Sequence, residues 1–165
     1  MRMQTLLPGR AGSIQTLQEM RRLIVESIQS QKPRNVVVYL MQSNMVSNPY
    51  ALAEALRGWI IRHVTLMDEF EELLISPSIL IDEIARKGST VGDCDEIAML
   101  AAAVLSSAGA LVQLVACFPQ LDTSYGHVFT RYKFPRQDAW VDFDPSIGYN
   151  QPVYPADVAT VDIIS

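Results

Sequence analysis

The chain has 165 residues and a mass of 18.4 kDa, with 49% hydrophobic and 19% charged residues. A chain of that length makes one domain able to bury about 70% of its unfolded surface, and the composition excludes a disordered, collagen-like or coiled-coil protein. Eighteen acidic against thirteen basic side chains give a net charge of −5 and a pI near 4.9, which argues against a nucleic-acid-binding surface.

The longest apolar stretches, such as 110–118, fall short of the ~20 residues a membrane span needs. The opening MRMQTLLPGR lacks an apolar core of signal-peptide length. No membrane partner is therefore expected, and the cytoplasm is the expected location. Two cysteines, Cys94 and Cys117, are too few for a disulfide framework, so free thiols are expected.

Residues 1–13, with Pro8, Gly9 and Gly12, read as an irregular lead-in. Thr16 and Glu19 have the spacing of a capping box, and Leu17, Met20, Leu23, Ile24 and Ile28 keep helical spacing to about residue 30. Pro33 is expected to end that helix. Residues 35–45 are ambiguous between strand and helix, and length and context favour a second helix. Asn48-Pro49 is a strong helix start, followed by a face of Leu52, Ala55, Leu56, Trp59, Ile60 and His63. Trp59 reads as core and His63 as a solvated helix-end residue. Glu69, Glu71 and Glu72 read as a solvated face. Ser76-Pro77 opens a short fourth helix that stops at Lys87-Gly88. A fifth, alanine-rich helix spans about 94–108 and stops at Gly109.

After Gly109 the period changes. Residues 110–118 are apolar and β-prone, with Cys117 read as plain core, and residues 126–134 and 139–144 alternate. Three antiparallel strands follow, the last two joined by a hairpin at Pro135-Arg136-Gln137-Asp138. Helices first and strands after make an α+β domain.

Chemistry concentrates at Gly92-Asp93-Cys94-Asp95-Glu96. Asp93 is the expected N-cap, Glu96 can close a capping box, and Cys94 takes the first helical position. Unpaired N–H groups there favour a thiolate and can hold an oxyanion, an effect worth about 0.3–1 kcal/mol from the dipole. Asp93, Asp95 and Glu96 oppose it by raising the thiol pKa, and an imidazolium partner would tip the balance. His127, at the start of the second strand, is the candidate. A turn centred near Arg136 puts it opposite about residue 145, within reach of Asp144. Asp142, about 6–7 Å further along, is the alternative acid or a supporting acceptor. Trp140 is expected on the carboxylates' face, shielding the imidazole from water.

These motifs resemble those of the transglutaminase-like (papain-like) cysteine-enzyme superfamily, above all its short bacterial and bacteriophage-associated members. The shared features are Gly92-Asp93-Cys94-Asp95 opening an alanine-rich helix, His127-Val128 at a strand start, and Trp140 followed by Asp144-Pro145-Ser146, with an acidic-to-proline segment at 72–77. The resemblance is dense over 47–148, which implies one domain over 1–165 with a catalytic core at 47–148 and an N-terminal helical extension at 1–46. It implies a papain-like fold, with a Cys-bearing helix packed on the C-terminal antiparallel sheet, and a catalytic triad of Cys94 as nucleophile, His127 as base and Asp144 as acid. The implied activity is a cysteine hydrolase, peptidase or amidase, acting on a protein or peptide, with transglutaminase-type acyl transfer second; water needs no further binding site. The alternative is a non-catalytic structural or assembly protein of a phage particle, virion-associated and partnered by phage structural proteins. No cofactor is implied, and the carboxylates lack the convergent Cys and His ligands that a metal site would need.

Overall fold

The computed structural model describes residues 9–68, 73–118, 126–150, 154 and 157–163. Glu69, Glu71 and Glu72, read above as a solvated face, lie outside the described residues. The first helix, α1, spans Gly9–Gln29, so residues 9–13 of the expected lead-in are helical. Thr16 is therefore not an N-cap: it lies mid-helix, buried, and its hydroxyl donates to the Gly12 carbonyl at 3.1 Å. Tertiary packing explains the extra turns. Gly12, Ser13 and Thr16 form a small-residue stripe continuous with Leu17, Met20 and Ile24, and α1 lays that face on the central helix.

Pro33 begins a helix rather than ending one. The chain turns at Gln31, held at φ 67°, and α2 runs Lys32–Ser43 with the proline in its first turn, where its missing N–H costs nothing. Helix α3, Pro49–His63, starts as expected: the Asn48 side chain accepts from the Ala51 N–H at 2.9 Å. It buries Leu52, Ala53, Leu56, Trp59 and Ile60. Helix α4 covers Pro77–Lys87 and closes on Gly88 at φ 83°, a backbone position suited to glycine. His63 is tied rather than merely solvated, because Nδ1 donates to the Gly88 carbonyl at 2.7 Å and thereby links the ends of α3 and α4.

Two three-residue strands, β1 (Val64–Leu66) and β2 (Thr90–Gly92), pair in parallel. They leave no periodic signal in sequence, yet β2 runs directly into the cysteine-bearing helix. That helix, α5 (Cys94–Ser107), is buried on nearly every side, with residues Ile97 to Leu105 all in the core.

The main sheet has four strands where three were expected. β3 (Leu111–Cys117), β4 (His127–Lys133) and β5 (Val141–Phe143) are the expected three, and β6 (Val158–Asp162) adds a strand beyond β3. The order is β5-β4-β3-β6, antiparallel throughout. Alternate residues of β4 divide between two faces. Val128, Thr130 and Tyr132 belong to the main core, and the Thr130 hydroxyl donates to the Ala98 carbonyl of α5 at 2.7 Å. His127, Phe129 and Arg131 lie on the other face, where Phe129 packs with Val115, Cys117 and Tyr154.

The β4–β5 register pairs Thr130 with Phe143 and Arg131 with Asp142. The turn centred near Arg136 implies residue 142 opposite Thr130 to within a residue or two, and the observed pairing lies one residue further on. A one-residue change reverses the face of every side chain on a strand. The observed register sets Asp142 opposite Arg131 and sends Phe143 into the core, so the carboxylate that follows Phe143 turns to His127's face.

Candidate active site

Glycine at 92 is required by packing. A Cβ there would lie 2.8 Å from the Glu96 Cβ, closer than two such carbons approach. With that space clear, the capping box closes at both ends. The Asp93 Oδ1 accepts from the Asp95 and Glu96 N–H groups at 2.8 and 3.4 Å, and the Glu96 Oε2 accepts from the Asp93 N–H at 3.1 Å. The second Glu96 oxygen accepts from the Ile75 N–H at 3.1 Å, tying the segment before α4 to the start of α5. The cap thus takes up the N–H groups of Asp95 and Glu96 and leaves that of Cys94 outside it.

Cys94 is half-buried. Its Sγ donates to the Asp95 Oδ1 at 3.7 Å and accepts from the backbone N–H of Val128, the residue after His127. Helix start and strand start therefore meet at the sulfur. Burial, then the Asp95 charge, push the thiol pKa up to about 12, with Asp93 adding to them and the Val128 N–H pulling the other way. The sequence reading anticipated carboxylate opposition, and the structure adds desolvation as the larger cause. Glu96 is not among the charges that oppose the thiolate. Burial and the neighbouring Asp93 push its own carboxyl well above the ordinary carboxylate range. Ligand atoms of Asp93, Cys94 and Asp95 lie within 4.8 Å of one another, but Asp93 Oδ1 is already committed to the helix cap.

His127 meets Asp144. Its Nε2 lies 2.6 Å from the Asp144 Oδ2, with the carboxylate side chain 3% exposed and the imidazole 27% exposed. Burial pushes Asp144 towards protonation, but hydrogen bonds from His127, Ser146 and Tyr154 outweigh it and hold the carboxyl below its ordinary value. An ionised Asp144 accepts, so Nε2 carries the proton and Nδ1 presents its lone pair.

Asp142 does not reach the imidazole. It faces Arg131 across the β4–β5 ladder, and burial raises its pKa while Arg131 opposes that rise. Trp140 does not shield His127 either. Its ring lies under the Arg131 guanidinium at 5.3 Å, drawn there by cation–π attraction. The rings beside His127 are those of Phe129 and Tyr154, at 6.3 and 6.1 Å. Tyr154 went unnoticed in the sequence because no spacing rule connects it to Asp144. Cys117 is buried on the same face, opposite His127 in the β3–β4 register, and burial followed by the Asp144 and Asp142 charges raises its pKa to about 11.

Beside Asp144 opens a cavity of about 220 Å³, lined also by Glu54, Arg57, Asp142, Ile147, Tyr149 and Asn150. Arg57 is anchored there by Glu54 at 3.4 Å, by the Gly148 carbonyl at 3.2 Å and over the Phe143 ring at 4.8 Å.

A cysteine-bearing helix packs on an antiparallel sheet, and the strand that carries the histidine of a histidine–aspartate pair begins where its Val128 N–H meets the cysteine sulfur. The family description "Transglutaminase-like superfamily" matches residues 40–145, more than half of the chain, and the chain belongs to that superfamily. Its members usually work through cysteine-based catalysis. Neither the curated proteins nor the solved structures compared with the chain gave a match. Among the described residues, no helix is long and apolar enough to cross a membrane.

Proposed function

We propose that this protein is a cysteine hydrolase of amide bonds in a protein or peptide, with Cys94 as nucleophile, His127 as base and Asp144 as the acid that orients the base. The observation that carries this reading is the 2.6 Å bond between His127 Nε2 and the buried Asp144 carboxylate. It fixes one tautomer and leaves Nδ1 to take a proton. The contact between Cys94 Sγ and the Val128 N–H supports the same pairing from the helix side.

The high thiol pKa determines how such a site works. Burial and the Asp95 charge favour the thiol form of Cys94, so in this reading proton transfer to Nδ1 goes with attack on the carbonyl carbon. The Cys94 N–H, outside the capping box, is the donor for the developing oxyanion. His127 then returns the proton to the leaving amine, and the thioester is resolved by water. Resolution by an amine in place of water makes the same site an acyltransferase.

The test uses an electrophilic peptide probe that mimics an amide. It is expected to label Cys94 well ahead of Cys117, and Cys94→Ser is expected to abolish that labelling. Equal, slow labelling of both thiols would sink the enzyme reading in favour of a non-catalytic assembly module. Release of free carboxylate in the presence of excess primary amine separates hydrolysis from transfer.

A further inference from the structure

We infer that Tyr154 is a positioning residue for the proposed reaction, acting through Asp144 to set how strongly the carboxylate holds the imidazole; this rests on the roles given above to Cys94, His127 and Asp144. The Tyr154 hydroxyl donates to Asp144 Oδ2 at 2.9 Å, the same oxygen that His127 Nε2 approaches to 2.6 Å. The other oxygen, Oδ1, accepts from the Ser146 hydroxyl at 2.5 Å and the Ser146 N–H at 3.2 Å. A carboxylate has about four lone-pair sites, and all four are occupied. The plane of Asp144 is therefore locked, and its negative charge is shared with the hydroxyl and N–H of Ser146 and the Tyr154 phenol besides the imidazole.

Sharing has a direction. Two donors on one oxygen compete for its charge, so the phenol weakens the carboxylate's pull on the Nε2 proton while holding it in line. The phenol is itself held. Its ring stacks on buried Phe129 at 4.0 Å with an 8° tilt, and lies 15° from the plane of the imidazole.

Tyr154→Phe keeps the ring stack and removes only the donor. Without it the Asp144 charge falls more heavily on Nε2. The Nε2–H proton resonance of His127 is expected to move downfield, and it is readily assigned because the chain has two histidines. The acid limb of the rate–pH profile for the peptide substrate is expected to move up by about 0.5–1 pH unit with KM unchanged, since the imidazolium is better stabilised. Incorporating 3,5-difluorotyrosine at 154, a stronger donor of nearly the same shape, is expected to move both readouts the other way, which covers a phenylalanine variant that fails to fold. An unmoved resonance overturns the inference, as does a moved resonance with a superimposable pH profile. Failure of the enzyme reading has a separate signature: His127→Ala would then leave the alkylation rate of Cys94 unchanged, whatever the resonance does in Tyr154→Phe.

Discussion

Two buried carboxyl groups flank the proposed reaction centre, and their environments drive them in opposite directions. At the start of α5, Glu96 accepts two backbone N–H groups yet is raised to about 8, because it is buried beside a second carboxylate, Asp93. At the end of β5, Asp144 is also buried, yet it is held below its ordinary value by His127, Ser146 and Tyr154. Desolvation acts on both, and the sign is decided by whether the neighbours donate or repel. The helix end is thus a region of restrained negative charge around a protonated thiol. The strand end is a region where one full negative charge is made comfortable.

The most forceful way to break this pairing is to remove the sulfur. Cys94→Ala is expected to lower turnover of a peptide amide on the order of 10⁴-fold or more, with an unchanged thermal melt. His127→Ala comes next, with a loss of about 10²–10⁴-fold in the rate of Cys94 alkylation and turnover measured at neutral pH. Asp144→Ala is expected to exceed Asp142→Ala in cost to turnover by about tenfold or more, because only the former touches the imidazole. Parity between the two would detach the strand end from the chemistry.

The helix end is sharpened by a gain rather than a loss. Asp95→Asn removes the largest charge opposing the thiolate and should lower the Cys94 pKa from about 12. Alkylation at pH 8 is then expected to rise roughly threefold to tenfold, and an unchanged rate would show that burial alone sets the thiol. A further expected effect concerns stability. Glu96 rises from its ordinary 4.5 to about 8 on folding, so between those values the native state holds a proton the unfolded chain has released. That contribution is complete below pH 4.5 and is lost as pH rises through 8. Melting temperatures from pH 5 to 9 should therefore decline less steeply in Glu96→Gln than in the wild-type chain.

Much of this site could be read before any coordinates. The Asp93/Glu96 capping box, the cysteine at the first turn of α5, His127 at a strand start and Asp144 within its reach all came from local spacing, which carries caps and turns well. What escaped has a common cause. The extra turns of α1, the parallel β1–β2 pair and the sheet-edge strand β6 exist because of partners distant in sequence, and short elements leave no period of their own. The hairpin register falls within a residue of the expected pairing, with Arg136 in the turn at φ 73°, a conformation rare outside glycine. Trp140 was read towards the imidazole and instead stacks on Arg131.

By itself the amino-acid order determined the α+β class, the helix that presents the thiol and the identity of its candidate partners, since each is encoded within a few neighbouring residues. Tertiary structure alone decided which face Asp144 turns to, that burial rather than charge is the first obstacle to a thiolate at Cys94, and that Tyr154 shares the aspartate with His127. Desolvation and shared hydrogen bonds arise only when segments far apart in the chain exclude water together, and no local pattern records that.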